Sequence, residues 1–191
     1  MGRTRLAAAA LSTAAIASFA GCDNPKPRPA ASQGPARAAA PAAAPGAWTP
    51  PPAKVTHDPL PAQPAWVGTV LGKPLRAAFP QNDGDCVGNT DLVDFRYVGA
   101  TPGVMIEGWG WDQEAKAAVA RVVLADKDGQ IVGGGETGVP RPDVNERRKD
   151  IVSRTTGWKA VTPVTTGVVR AYGVVGAGQD TCPLGEIDLG H

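Results

Sequence analysis

Ala117-Ala118-Val119-Ala120-Arg121-Val122-Val123-Leu124-Ala125, then Asp126-Lys127-Asp128-Gly129, then Gln130-Ile131-Val132-Gly133, is the stretch that decides the fold. An Asp-Gly step between two β-rich runs is a hairpin signal, because glycine supplies the positive φ that a tight turn needs. The opening alanines leave a short helix as the alternative for that part alone. Working outward, Val104-Met105-Ile106-Glu107-Gly108-Trp109-Gly110-Trp111 reads as a strand, as do Trp158 to Val164 and Gly167-Val168-Val169-Arg170-Ala171-Tyr172-Gly173-Val174-Val175. Short strands at close spacing with turn residues between them predict a sandwich or barrel. Gly133-Gly134-Gly135 lacks the Lys-Ser/Thr of a phosphate loop and reads as a bulge or a close backbone approach within a strand. One short helix is expected over Arg141 to Lys149, where Pro142 suits a first turn and Asp143 and Glu146 sit near the positive end. Its mixed charges read as a solvated helix face, with partner docking as the alternative.

Upstream of residue 65 the composition changes. Residues 23–64 are dominated by Ala and Pro and offer little large apolar surface to offset the entropy of ordering. They read as a disordered, semi-rigid linker whose full extension is about 130 Å at roughly 3.1 Å per residue. Residues 65–191 carry 13 Lys and Arg against 16 Asp and Glu, a net charge of −3, whereas the whole chain is +1. Nothing in that domain makes a basic face, so nucleic acid is not an expected partner.

Residues 1–21 have the three-part build of an export signal: Arg3 and Arg5, an apolar run from Leu6 to Ala20, and small residues before Cys22. The apolar run is about 15 residues, short of the roughly 20 that span a bilayer. Phe19-Ala20-Gly21-Cys22 resembles the lipobox of bacterial lipoproteins, with Phe19 standing where Leu is usual. The resemblance implies cleavage before Cys22, diacylglyceryl transfer to its thiol and acylation of the new N-terminus. More than one chain is what stable anchoring needs. The implied location is the cell membrane or outer membrane, with the domain facing the periplasm or exterior. Asp23-Asn24 resembles the signal that holds lipoproteins of enteric bacteria in the inner membrane.

With Cys22 given to lipid, Cys86 and Cys182 remain. An even remainder in an exported domain favours a disulfide. The alternative is a metal or catalytic thiol, but no histidine lies near either cysteine in sequence.

Enzyme chemistry is poorly supplied, and none is expected. His57 falls in the linker and His191 ends the chain, so no positioned base stands near a nucleophile. Strand alternation puts Met105, Glu107, Trp109 and Trp111 on one face and Asp112 on the other, which disfavours a glycosidase pair. Glu107, Trp109 and Trp111 are therefore candidate ligand-binding residues for a sugar, with a tryptophan in the core as the alternative. No cofactor is expected. The loop Gln81 to Asp91 holds Asp83, Asp85, Asn89 and Asp91, a calcium alternative to plain turn chemistry, although the spacing is not that of an EF-hand.

Gly108-Trp109-Gly110-Trp111-Asp112, Thr137-Gly138-Val139-Pro140-Arg141-Pro142-Asp143-Val144 and Gly157-Trp158 together resemble a small bacterial β-sandwich module. That module sits at the outer end of some membrane proteins associated with cell-surface polysaccharides. The resemblance spans roughly residues 103–184 and implies an immunoglobulin-like sandwich without catalytic residues. The expected protein is mainly β: a lipid-anchored envelope module that binds a protein or glycan. A structural or assembly accessory of a membrane complex is the alternative, and a hydrolase comes third.

Overall fold

The computed structural model describes residues 49–190, which form a mainly β, sandwich-like fold. The strands are β1 (Lys54–Thr56), β2 (Cys86–Tyr97), β3 (Gly103–Asp112), β4 (Ala117–Ala118), β5 (Arg121–Ala125), β6 (Ile131–Val139), β7 (Gly157–Thr162), β8 (Val168–Val175) and β9 (Asp180–Asp188). They pair in one ladder, in the order β1-β2-β3-β7-β6-β5-β8-β9, with β4 attached to β3. Every pairing is antiparallel except the short β1–β2 contact.

The quoted hairpin forms between β5 and β6. Asp126 Oδ1 accepts from the backbone N–H groups of Asp128 and Gln130, and Gly129 sits at φ 77°. The run from Ala117 is not one strand, however. Ala117 and Ala118 turn back on Trp111 and Asp112 as β4, and pairing with β6 begins only at Arg121.

The backbone of β6 lies close against that of β7. A Cβ on Gly135 would lie 1.8 Å from the Lys159 carbonyl oxygen, and one on Gly133 would lie 2.2 Å from that of Val161. The triple glycine thus marks a close backbone approach within a strand. Gly133 and Gly135 lie opposite the core residues Leu124 and Val122 without side chains of their own, and the sheet folds over so that β9 lies against β2. The two are joined by the Cys86–Cys182 disulfide, with Cα atoms 5.8 Å apart. Arg96 Nη2 donates to the Leu189 carbonyl at 2.6 Å along the same seam.

The fold-over encloses one main core, in which Val104, Ile106, Val122, Leu124, Trp158, Ala160, Val169, Ala171 and Leu184 are buried. Two smaller clusters lie on the outer face. Leu75 and Phe79, carried by α1 (Leu75–Ala78), cover Val123 and Val174. Val144 of α2 (Pro142–Arg147), with Ile151, covers Trp111. The helix expected over Arg141 to Lys149 is therefore present but shorter, since Arg148 is already extended.

Two segments differ from the sequence expectation. Lys54–Thr56, assigned to the linker, pairs with Phe95–Tyr97, and Leu60 and Gln63 bond to Thr101 and Val161. Part of the Gln81–Asp91 loop is strand, because β2 begins at Cys86. β9, for which the sequence carried no expectation, is a strand that includes Pro183 and Gly185. Cys22, the export signal and most of the linker lie outside the described residues.

Candidate functional site

The site is built on β3, whose alternation decides which side chains face outward. Val104, Ile106 and Gly108 point into the main core, and Met105, Glu107, Trp109 and Trp111 point out. The expected common face is present, but its members meet different surroundings. Trp111 is 2% exposed beneath Val144 and Ile151 and offers no ring surface to a ligand. Trp109 is only partly buried and stands at the floor of a cleft of about 660 Å³.

Trp109 lies opposite Asn89 on β2 and Gly157 on β7. Gly157 matters because it has no side chain. A Cβ there would lie 2.7 Å from Arg141 Cγ, so the glycine is what lets the arginine stem lie across the sheet. Arg141 Nε and Nη2 each donate to Asp143 at 2.8 Å, a two-pronged fork, and Nη1 donates to Asp91. Asp91 occupies the register shift between Thr90 and Leu92, where a bulge re-aims its carboxylate toward α2. The fork to Asp143 raises the Arg141 pKa beyond its ordinary value, against the opposing effect of burial and with help from Asp91. Asp143 is held below the usual carboxylate range by the same hydrogen bonds. Arg147 and Arg148 complete the rim. Arg148 pairs with Asp150 at 2.8 Å, whereas Arg147 has no ion pair among the described residues.

Glu107 belongs to a neighbouring cluster. On the outer face Arg121, Glu136, Lys159 and Glu107 lie directly opposite one another across β5, β6, β7 and β3, alternating in sign. Lys159 bonds Glu107 and reaches Asp94 at 3.2 Å, and Lys54 reaches Asp94 at 3.0 Å. Burial raises the Glu107 pKa, with the hydrogen bond from Lys159 opposing and that with Asp94 adding. Burial also pushes Asp94 up, but its hydrogen bonds with Glu107, Lys54 and Lys159 outweigh it and hold the carboxyl below its ordinary value. Leu92, opposite Glu107, separates this cluster from the Trp109 cleft.

No family of proteins, curated protein or solved structure matches this chain. The chemistry of the site therefore stands on its own residues.

The calcium alternative does not assemble. Asp85 accepts from Gln113 Nε2 at 2.7 Å, Asn89 Nδ2 donates to Asp91 at 2.7 Å, and Asp91 is spent on Arg141. Among the described residues no three His, Cys, Asp or Glu side chains converge as metal ligands. The four candidates diverge because β2 holds two of them while Asp83 and Asp85 precede it. A second hollow, of about 390 Å³, is walled largely by Ala115, Ala117, Ala118 and Ala120 and has few groups that could orient a ligand.

Sequence reasoning assigns Arg141 to a solvated helix face and gives it no role in a site. Its partner Asp91 stands 50 residues away, so no local pattern announces the pair. Only the Arg-Pro-Asp spacing hinted at the shorter contact, by placing the carboxylate in the first helical turn.

Proposed function

We propose that this chain is a non-catalytic, lipid-anchored binding module of the bacterial envelope, and that it takes a glycan in the Trp109 cleft. The observation that carries the reading is a partly exposed tryptophan ring at the base of an open cleft, bordered by Asn89, Asp91, Arg141 and Asp143. A flat apolar ring beside fixed planar polar groups suits a sugar, whose axial hydrogens stack on the ring while its hydroxyls bond to carboxylate, amide and guanidinium. The rigid Arg141 pairs favour binding over turnover, because a side chain locked between two carboxylates loses little further entropy on meeting a ligand.

The anchor rests on the lipobox resemblance at Cys22. With Lys54–Thr56 in the sheet, the spacer comprises about 30 residues and reaches at most about 95 Å. Membrane fractionation checks this part: wild type sediments with membranes, and a Cys22→Ser chain stays soluble. Binding is checked by titrating a panel of immobilised envelope glycans with the chain and with Trp109→Ala. Retention by the wild type and its loss in the variant, at an unchanged thermal midpoint, supports the reading. Retention of a glycan that does not depend on Trp109 removes the cleft from it, and no retained glycan with a co-purifying membrane protein turns the assignment to an assembly accessory.

A further inference from the structure

We infer that the saccharide taken by the Trp109 cleft is acidic, carrying a carboxylate or phosphate that meets Arg147. The inference rests on the glycan reading of the cleft and concerns the charge of its ligand.

Three of the nine residues that line the cleft are arginines: Arg141, Arg147 and Arg148. Their charges are not equally available. Arg141 is committed to Asp91 and Asp143, and both carboxylates of the lining are consumed in that contact. Arg148 is held in a fork by Asp150, which stands outside the lining, with both side chains about half exposed. Arg147 is exposed and forms no ion pair among the described residues. The lining thus carries three guanidiniums against two carboxylates, an excess of one positive charge, and Arg147 is the guanidinium without a carboxylate partner among the described residues. This is unusual for the domain around it, where acidic residues outnumber basic ones.

Arginine's planar fork matches the two oxygens of a carboxylate or phosphate, and it sheds water more readily than an ammonium. Val144, one turn back on α2, is buried against Trp111 and fixes the helix to the sheet. Arg147 thereby lines the Trp109 cleft from a held element, so a sugar stacked on the ring can carry an acidic substituent to the guanidinium. A neutral sugar keeps the stacking and hydroxyl contacts but has no charged group to meet Arg147.

The test uses the full chain and three probes: tetragalacturonic acid, its carboxyl-reduced neutral counterpart, and a phosphorylated maltotetraose. Calorimetric titration at low ionic strength is expected to give at least about tenfold tighter binding for a charged probe than for the neutral one. Which charged probe shows the preference distinguishes carboxylate from phosphate. Arg147→Gln is expected to bring charged and neutral probes to the same affinity, while Trp109→Ala weakens all of them. Added salt should erode the preference in the wild type only. Equal affinities in the wild type, or a preference that survives Arg147→Gln, overturns the acidic assignment. In either case Trp109-dependent binding of the neutral probe leaves the glycan reading standing. Binding of none of the three overturns the inference, and the glycan reading is then decided by the panel described above.

Discussion

Arg141 joins several elements of the outer face. It ties the bulge of β2 to the first turn of α2 and crosses β7 at Gly157. An Arg141→Lys chain keeps the charge but loses the fork, leaving Asp91 and Asp143 short of donors. It should unfold about 2 kcal/mol more easily in denaturant, and unchanged stability would show that the pairs are merely incidental. Asp143 has its folded pKa depressed, so its contribution is present above the unfolded carboxyl range and is lost as pH falls through the folded value. Asp143→Asn should therefore flatten the acid limb of a stability-against-pH curve. Lys159 behaves in the opposite sense. Burial lowers its pKa, yet the hydrogen bonds to Glu107 and Asp94 prevail and raise it above the ordinary value. Its contribution holds below the unfolded lysine pKa and is lost as pH rises through the folded one, so Lys159→Met should remove part of the alkaline loss. Asp94 and Glu107 share that lysine and are shifted in opposite directions, so the acid titration of the pair belongs to both together.

At the scale of elements, two glycines separate the kinds of constraint a strand and a turn impose. Gly129 has open space around its missing Cβ, and only its φ of 77° resists substitution. Gly129→Ala should cost about 1 kcal/mol and leave the hairpin register intact. A Cβ on Gly135 meets Lys159 and Ala160 backbone atoms that cannot rotate away. Gly135→Ala should cost about 3 kcal/mol, measured as a lowered thermal midpoint. Equal costs for the two would contradict the close backbone approach assigned to Gly135. The elements that the sequence made legible are β3, β7 and β8, through their apolar runs, the β5–β6 hairpin, through its Asp-Gly turn, and the core of α2. β2 was not legible because its alternation is interrupted twice, at Thr90/Leu92 and at Val93/Phe95, so its apolar residues fall out of period. β9 has no reading in the sequence; it tolerates Pro183 and Gly185 because it is an edge strand, where a missing N–H is allowed, and Leu184 is an extra residue in its register.

For the whole molecule, the disulfide joins the two long strands that the sheet's fold-over brings together. The 96-residue separation of Cys86 and Cys182 makes the cross-link costly to lose. A chain with both cysteines changed to alanine should be destabilised by about 2–5 kcal/mol in denaturant. If the double variant is as stable as the wild type, the fold-over is held by the core alone.

The sequence by itself determined the β class, the hairpin, the pairing of Cys86 with Cys182 and the shared outward face of Glu107, Trp109 and Trp111. These follow from turn chemistry, residue count and a period of two, all of which act over short range or by elimination. Tertiary structure alone decided that α2 buries Trp111 while Trp109 remains open, and that Arg141 spans 50 residues to Asp91. It also scattered the calcium candidates and recruited Lys54–Thr56 to the sheet. Those outcomes depend on which surfaces meet after the sheet folds over, and periodicity along one strand carries no information about what covers its face.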